Sequence, residues 1–163
     1  MQTPSLISRV FTYVLIFGLI SIAACKKDDA EPQDGVQGKW QVSSIKLQPA
    51  YVFSGFPVTD YIAALSLIGD TCPQKVTFEF KGDKSVSVTA PDECKSTKEN
   101  LTNLAGIGAG TTWKNENDRL MLTTGSSTVS SGLAVDASTM TLNSQGILDD
   151  GLTRQITVSF KRL

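Results

Sequence analysis

Lys75-Val76-Thr77-Phe78-Glu79-Phe80-Lys81, followed by Gly82-Asp83 and then by Ser85-Val86-Ser87-Val88-Thr89-Ala90, decides the fold class of this chain. Side chains alternate between the two faces of a β-strand. The first segment therefore sets Val76, Phe78 and Phe80 against Thr77, Glu79 and Lys81, and the second repeats the alternation with Val86 and Val88. A period of two marks a half-buried strand, and a glycine-aspartate pair between two such segments marks a reversal. An antiparallel hairpin with one apolar face is the result. A lone hairpin is marginal in water, so that face has to be covered by more sheet.

The flanking sequence supplies it. Upstream, Gly38-Lys39-Trp40-Gln41-Val42 opens a strand towards Leu47 whose alternation slips at Ser43-Ser44, as a bulge would cause. Downstream, Thr111-Thr112-Trp113, a turn at 115–118, Arg119 to Thr123, Thr128 to Val135, Ser138 to Asn143 and Arg154 to Lys161 read as short strands between polar turns. The count from Lys39 is about eight strands, the pattern of an up-and-down barrel or a sandwich. Two short helices interrupt them. Thr59 or Asp60 caps one through Leu65 that stops before Gly69, with Ile62, Leu65 and Ile68 on one side; it plugs a barrel end or faces a partner. Ser96-Thr97-Lys98-Glu99 fits a capping box for the other, with Leu101 and Leu104 on one face and Gly106 as its stop. The glycines at 106, 108 and 110 lack the strand before and the Lys-Ser/Thr after that a phosphate loop needs, so they read as a connection.

The N-terminus is of another kind. Arg9 is the only charge before the apolar run from Val10 to Ala24, an order of charged, apolar and small residues that describes a secretory signal. The run falls short of the ~20 residues of a membrane-spanning helix. Ile22-Ala23-Ala24-Cys25 resembles a bacterial lipobox, which implies cleavage before Cys25, acylation of that cysteine and anchoring in a membrane without a spanning segment. Residues 25–37, charged and broken by Pro32, then read as the lipid anchor and a solvated tether. Within it Lys27-Asp28-Asp29 looks like the signal that sends some lipoproteins to the outer face of the outer membrane; attachment facing the periplasm is the alternative.

Removing residues 1–24 leaves a single-domain length, residues 38–163 forming the domain. The chain carries 15 Lys and Arg against 16 Asp and Glu. A near-neutral balance without a basic run excludes nucleic acid as the expected partner. With Cys25 acylated, Cys72 and Cys94 are an even pair in an oxidising compartment and read as one disulfide. No metal or other cofactor is expected, since the chain has no histidine and no closely spaced cysteines. Without histidine the commonest general base and the Ser-His and Cys-His pairs are absent too. Glu79, Asp83, Asp118, Asp136, Asp149 and Asp150 flank or occupy turn-like runs where solvation and capping account for them, so catalysis is not expected.

From Gly38 to Leu163 the chain resembles the lipocalin-like domains of exported bacterial lipoproteins. Gly38-Lys39-Trp40 is similar to the Gly-X-Trp signature of the first lipocalin strand, and the cysteine-bracketed hairpin, Trp113 and the closing Ile156-to-Arg162 strand extend the likeness. The resemblance implies an all-β fold with a single up-and-down barrel of about eight strands, and a basic residue, Lys161 or Arg162, packed over Trp40. The departure is the stretch from Pro49 to Gly69, longer than a hairpin loop. The interior would be lined by Trp40, Phe78, Phe80, Val86, Val88, Trp113, Leu120, Leu122, Met140, Leu142, Ile156, Val158 and Phe160. These residues serve equally a barrel that holds a small hydrophobic ligand and a packed module that meets an envelope protein. Aromatic residues bury ~150–250 Å² each, which favours a filled lumen and a shallow pocket at the helix-bearing mouth between Tyr51 and Ile68.

Overall fold

A computed structural model describes residues 35–163. The hairpin forms as its alternation requires: Thr77–Phe80 (β3) and Val86–Thr89 (β4) pair antiparallel, with Phe78 opposite Val88 and Phe80 opposite Val86. Asp83 closes the turn by accepting hydrogen bonds from the Ser85 hydroxyl at 2.6 Å and the Ser85 N–H at 2.9 Å.

Gly38–Phe53 (β1) pairs with β3 through its first residues, and through most of its length with the last strand, Thr153–Arg162 (β9). The slip expected at Ser43-Ser44 is present as a register shift against β9 between Val42 and Ser44. β1 runs on past Leu47 to Phe53, where it turns through Ser54-Gly55 and pairs with Phe56–Asp60 (β2). Pro49 sits inside β1, where a proline ordinarily breaks a strand. It is tolerated because pairing with β9 ends at Gln48 and the ladder with β2 is irregular between Lys46 and Tyr51, so the missing N–H falls where no regular ladder bond is due.

Asp60 then caps Tyr61–Leu67 (α1), its carboxylate accepting from the N–H groups of Ile62 at 3.1 Å and Ala63 at 3.2 Å. Ile62 and Leu65 are buried; Ile68, the C-cap residue just beyond the helix, is exposed. The second helix, Lys95–Ala105 (α2), lacks the expected capping box. Its N-cap is Cys94 with no side-chain cap, and Ser96 is already helical, since the 3₁₀ turn Asp92–Cys94 runs directly into the helix. Gly106 ends it in the left-handed conformation at φ 67°.

Thr112–Glu116 (β5), Arg119–Thr124 (β6), Ser127–Val135 (β7) and Thr139–Ile147 (β8) complete the sheet. Asn117 and Asp118, both with positive φ, form the two-residue β5–β6 reversal. The strand order is β4-β3-β1-β9-β8-β7-β6-β5, every pairing is antiparallel, and β2 stands off this path beside β1. Its ends meet at a bridge between Ser85 and Thr112, where the Val86 N–H donates to the Thr111 carbonyl at 3.1 Å and the Trp113 N–H to the Lys84 carbonyl at 2.8 Å. The fold is all-β, a nearly closed eight-stranded antiparallel barrel with two short helices. Cys72 and Cys94 are joined in a disulfide across the open end of the β3–β4 hairpin, with Cα atoms 5.2 Å apart. Among the described residues no helix is long and apolar enough to cross a membrane.

Candidate functional site

The residues expected to face inward do so unequally. Trp40, Phe78, Phe80, Trp113, Leu120, Leu122, Met140, Leu142, Ile156 and Phe160 are buried, and Val86, Val88 and Val158 are partly buried against them. Aromatic edges consume much of the space: Phe78 meets Phe160 edge to face with centroids 5.5 Å apart, and Phe80 meets Trp113 in the same way at 5.9 Å. The lumen that remains, between Phe78, Leu122, Leu142, Ile156, Val158 and Phe160, is a cavity of about 60 Å³. Ligand cavities run from about 300 Å³ upward. The lumen is filled.

The two tryptophans belong to the end at which β1 begins. Trp40 donates its indole N–H to the Val36 carbonyl at 2.7 Å, and the Arg162 guanidinium lies 4.1 Å over its ring, so Arg162 rather than Lys161 supplies the basic partner. Arg162 is held there by three carbonyls, donating to Gly35, to Gln37 at 2.8 Å and to Ala137 at 2.8 Å. Trp113 donates to the Lys81 carbonyl at 3.1 Å with the Lys84 ammonium 3.9 Å from its ring centre. This end is a packed floor.

At the opposite end a second cavity of about 360 Å³ opens between β1, α1, α2 and the β8–β9 turn. Ile45 and Leu47 reach it from β1, Leu101 and Leu104 from α2, and Leu148 from the turn; Tyr51, Tyr61, Asn100 and Asp149 add polar groups to this apolar wall. Ile45, Leu101 and Leu104 line the lumen cavity as well, so α2 is the partition between lumen and mouth. The helix that closes the lumen is α2, while α1 flanks the mouth with Tyr61.

One side of the mouth is pinned by charge. Arg154 is 1% exposed and uses its whole guanidinium: Nε donates to the Pro49 carbonyl at 3.1 Å, Nη1 to Asp150 at 2.6 Å and to the Leu152 carbonyl, and Nη2 to Asp150 and to the Ala50 carbonyl at 3.2 Å. The Asp150 carboxyl is held below the usual carboxylate range by the Arg154 guanidinium. Arg154 also lies 5.4 Å from the ring centre of Tyr51, whose hydroxyl donates to Asp149 at 3.1 Å. That hydrogen bond, with burial and the nearby carboxylates, raises the Tyr51 hydroxyl pKa; burial and then the charges of Asp70 and Asp149 raise that of Tyr61. The mouth is therefore an apolar pocket with a negative rim.

Compared with models of known protein families and with curated proteins, the chain gives no match. Its site is read from its own geometry.

None of the strand residues expected to line a ligand cavity reaches the mouth pocket; six of them line the small lumen and the rest pack elsewhere in the core. The pocket lies where the segment from Tyr51 to Ile68 places it, but half its wall comes from α2 and from Leu148 and Asp149, which no period-two pattern marks. The amphipathic spacing of Leu101 and Leu104 was the available signal. Cys25 and the lipobox lie outside the described residues.

Proposed function

We propose that this chain is a lipid-anchored binding protein of the bacterial cell envelope, built on a lipocalin-like barrel and taking a small hydrophobic ligand at the barrel mouth rather than deep in its lumen. The observation that carries the reading is the apolar mouth pocket of about 360 Å³ set above a filled lumen. Residues 1–24 would be removed as a signal peptide, Cys25 acylated in the outer membrane, and the barrel held on the tether at the cell surface, with no catalytic step of its own. The test is titration with an environment-sensitive apolar dye. Trp40 and Trp113 sit at the other end of the barrel and are poor reporters. Saturable one-to-one binding that Leu104→Trp abolishes while the unfolding midpoint stays that of the wild type supports the reading, since Leu104 is 43% exposed and lines the pocket, which a larger ring would fill. Absence of saturable binding refutes it.

A second reading is a packed interaction module without a small ligand. It is favoured by exposed apolar side chains on the elements around the mouth: Val52 and Phe56 by the β1–β2 turn, Leu67 and Ile68 at the end of α1, and Ile147 and Leu152 by the β8–β9 turn. A contiguous apolar patch marks a contact surface, and in this reading these side chains supply one. Acylation is checked separately by metabolic labelling with a fatty-acid analogue, which marks the wild type and not Cys25→Ser.

A further inference from the structure

The mouth pocket carries a carboxylate and, among the described residues, no lysine or arginine lines it. The nearest guanidinium, that of Arg154, is spent on Asp150 and on backbone carbonyls, so it offers nothing to an incoming anion. Asp149 accepts one hydrogen bond from Tyr51 and makes no ion pair among the described residues. Tyr51 already holds one cation near its ring, and Tyr61, whose ring meets Phe53 edge to face at 5.6 Å, lines the same pocket. Aromatic rings beside a carboxylate are the chemistry that recognises an alkylammonium group. A carboxylate head would instead face Asp149 with no cation among the pocket-lining residues to receive it, and like charges side by side repel.

We infer that the mouth pocket selects single-chain amphiphiles with a cationic, ammonium-type head, the alkyl chain lying against Leu47, Leu101 and Leu104 and the head beside Asp149 and the two tyrosines. This rests on the reading of the mouth as the ligand site.

The experiment is calorimetric titration of the mature chain, produced directly as residues 25–163 with Cys25→Ser, which removes the acylation site together with the signal segment and so the need for detergent. The probes share one tail, dodecyltrimethylammonium, dodecyl maltoside and dodecanoate, each kept below its micelle concentration. The ammonium probe is expected to bind about tenfold tighter than the maltoside, with dodecanoate weakest. Asp149→Asn, which keeps an acceptor for Tyr51, is expected to weaken the ammonium probe about fivefold relative to the maltoside measured on the same variant. Equal affinity for the three heads, preference for dodecanoate, or ammonium binding that survives Leu104→Trp overturns the inference while saturable maltoside binding at the mouth still stands. No saturable binding of any probe overturns the ligand-site reading itself and the inference with it.

Discussion

Gly38 shows how one residue type follows from its neighbours. Its φ of +136° lies where side chains are rarely tolerated, and a Cβ there would come within 2.5 Å of the Arg162 guanidinium that three carbonyls and Trp40 hold in place. Gly38→Ala is therefore expected to destabilise the domain by about 1–3 kcal/mol, read from the urea midpoint. A change under a few tenths would mean that Arg162 moves freely. Asp136 gives a pH dependence. Hydrogen bonds from Thr139 and Ser138 hold its carboxyl far below the usual range. A depressed folded pKa adds stability above the unfolded value of ~3.9 that is lost as pH falls through the folded one. Wild type should exceed Asp136→Asn in thermal midpoint at about pH 7, and the gap should close towards about pH 2. The buried positions were legible in the sequence wherever alternation was strict, as at Phe78 and Phe80. The Tyr51–Asp149 pair was not: its residues are 98 apart, and no periodicity links them.

At the scale of elements, the strands were readable and their limits were not. β1 outruns its apolar pattern because Pro49 falls in an irregular part of its ladder, and β2 was hidden in a segment whose proline and glycine suggest a loop. The capping box before α2 satisfied the sequence rule and still did not form, because helix geometry is already imposed at Lys95 by the turn ending in Cys94. That cysteine ties the start of α2 to Cys72, ahead of β3, closing a loop with a sequence separation of 22 residues. Loop closure of this length should stabilise the fold by about 3 kcal/mol. The double variant Cys72→Ser, Cys94→Ser should lose about that much in denaturant unfolding and, because α2 walls the mouth, should weaken dye binding as well. Stability equal to that of the wild type would show that packing alone holds α2 in place.

The whole barrel is uneven in how its strands are tied. β1, from the start of the domain, and β9, from its end, share a ladder from Trp40–Arg162 to Gln48–Gln155, and β9 continues into a ladder with β8 from Thr139–Lys161 to Ile147–Thr153. The opposite seam, between β4 and β5, has one bridge and two backbone hydrogen bonds. Contacts this distant in sequence must form before the barrel can close, which makes the β1–β9 ladder the element on which the global fold depends. Local opening takes the least-bonded edge first, because amides exchange through the lowest-energy opening that frees them. In native-state hydrogen exchange the amides bonded between β1 and β9, including those near Ile45 and Val158, should therefore exchange only with global unfolding. The Val86 and Trp113 amides, whose carbonyl partners lie across the β4–β5 seam, should exchange faster and with weaker dependence on denaturant. Equal protection at the two sites would mean that the barrel opens only as a unit; faster exchange at β1–β9 would place the weak edge on the wrong side of the molecule.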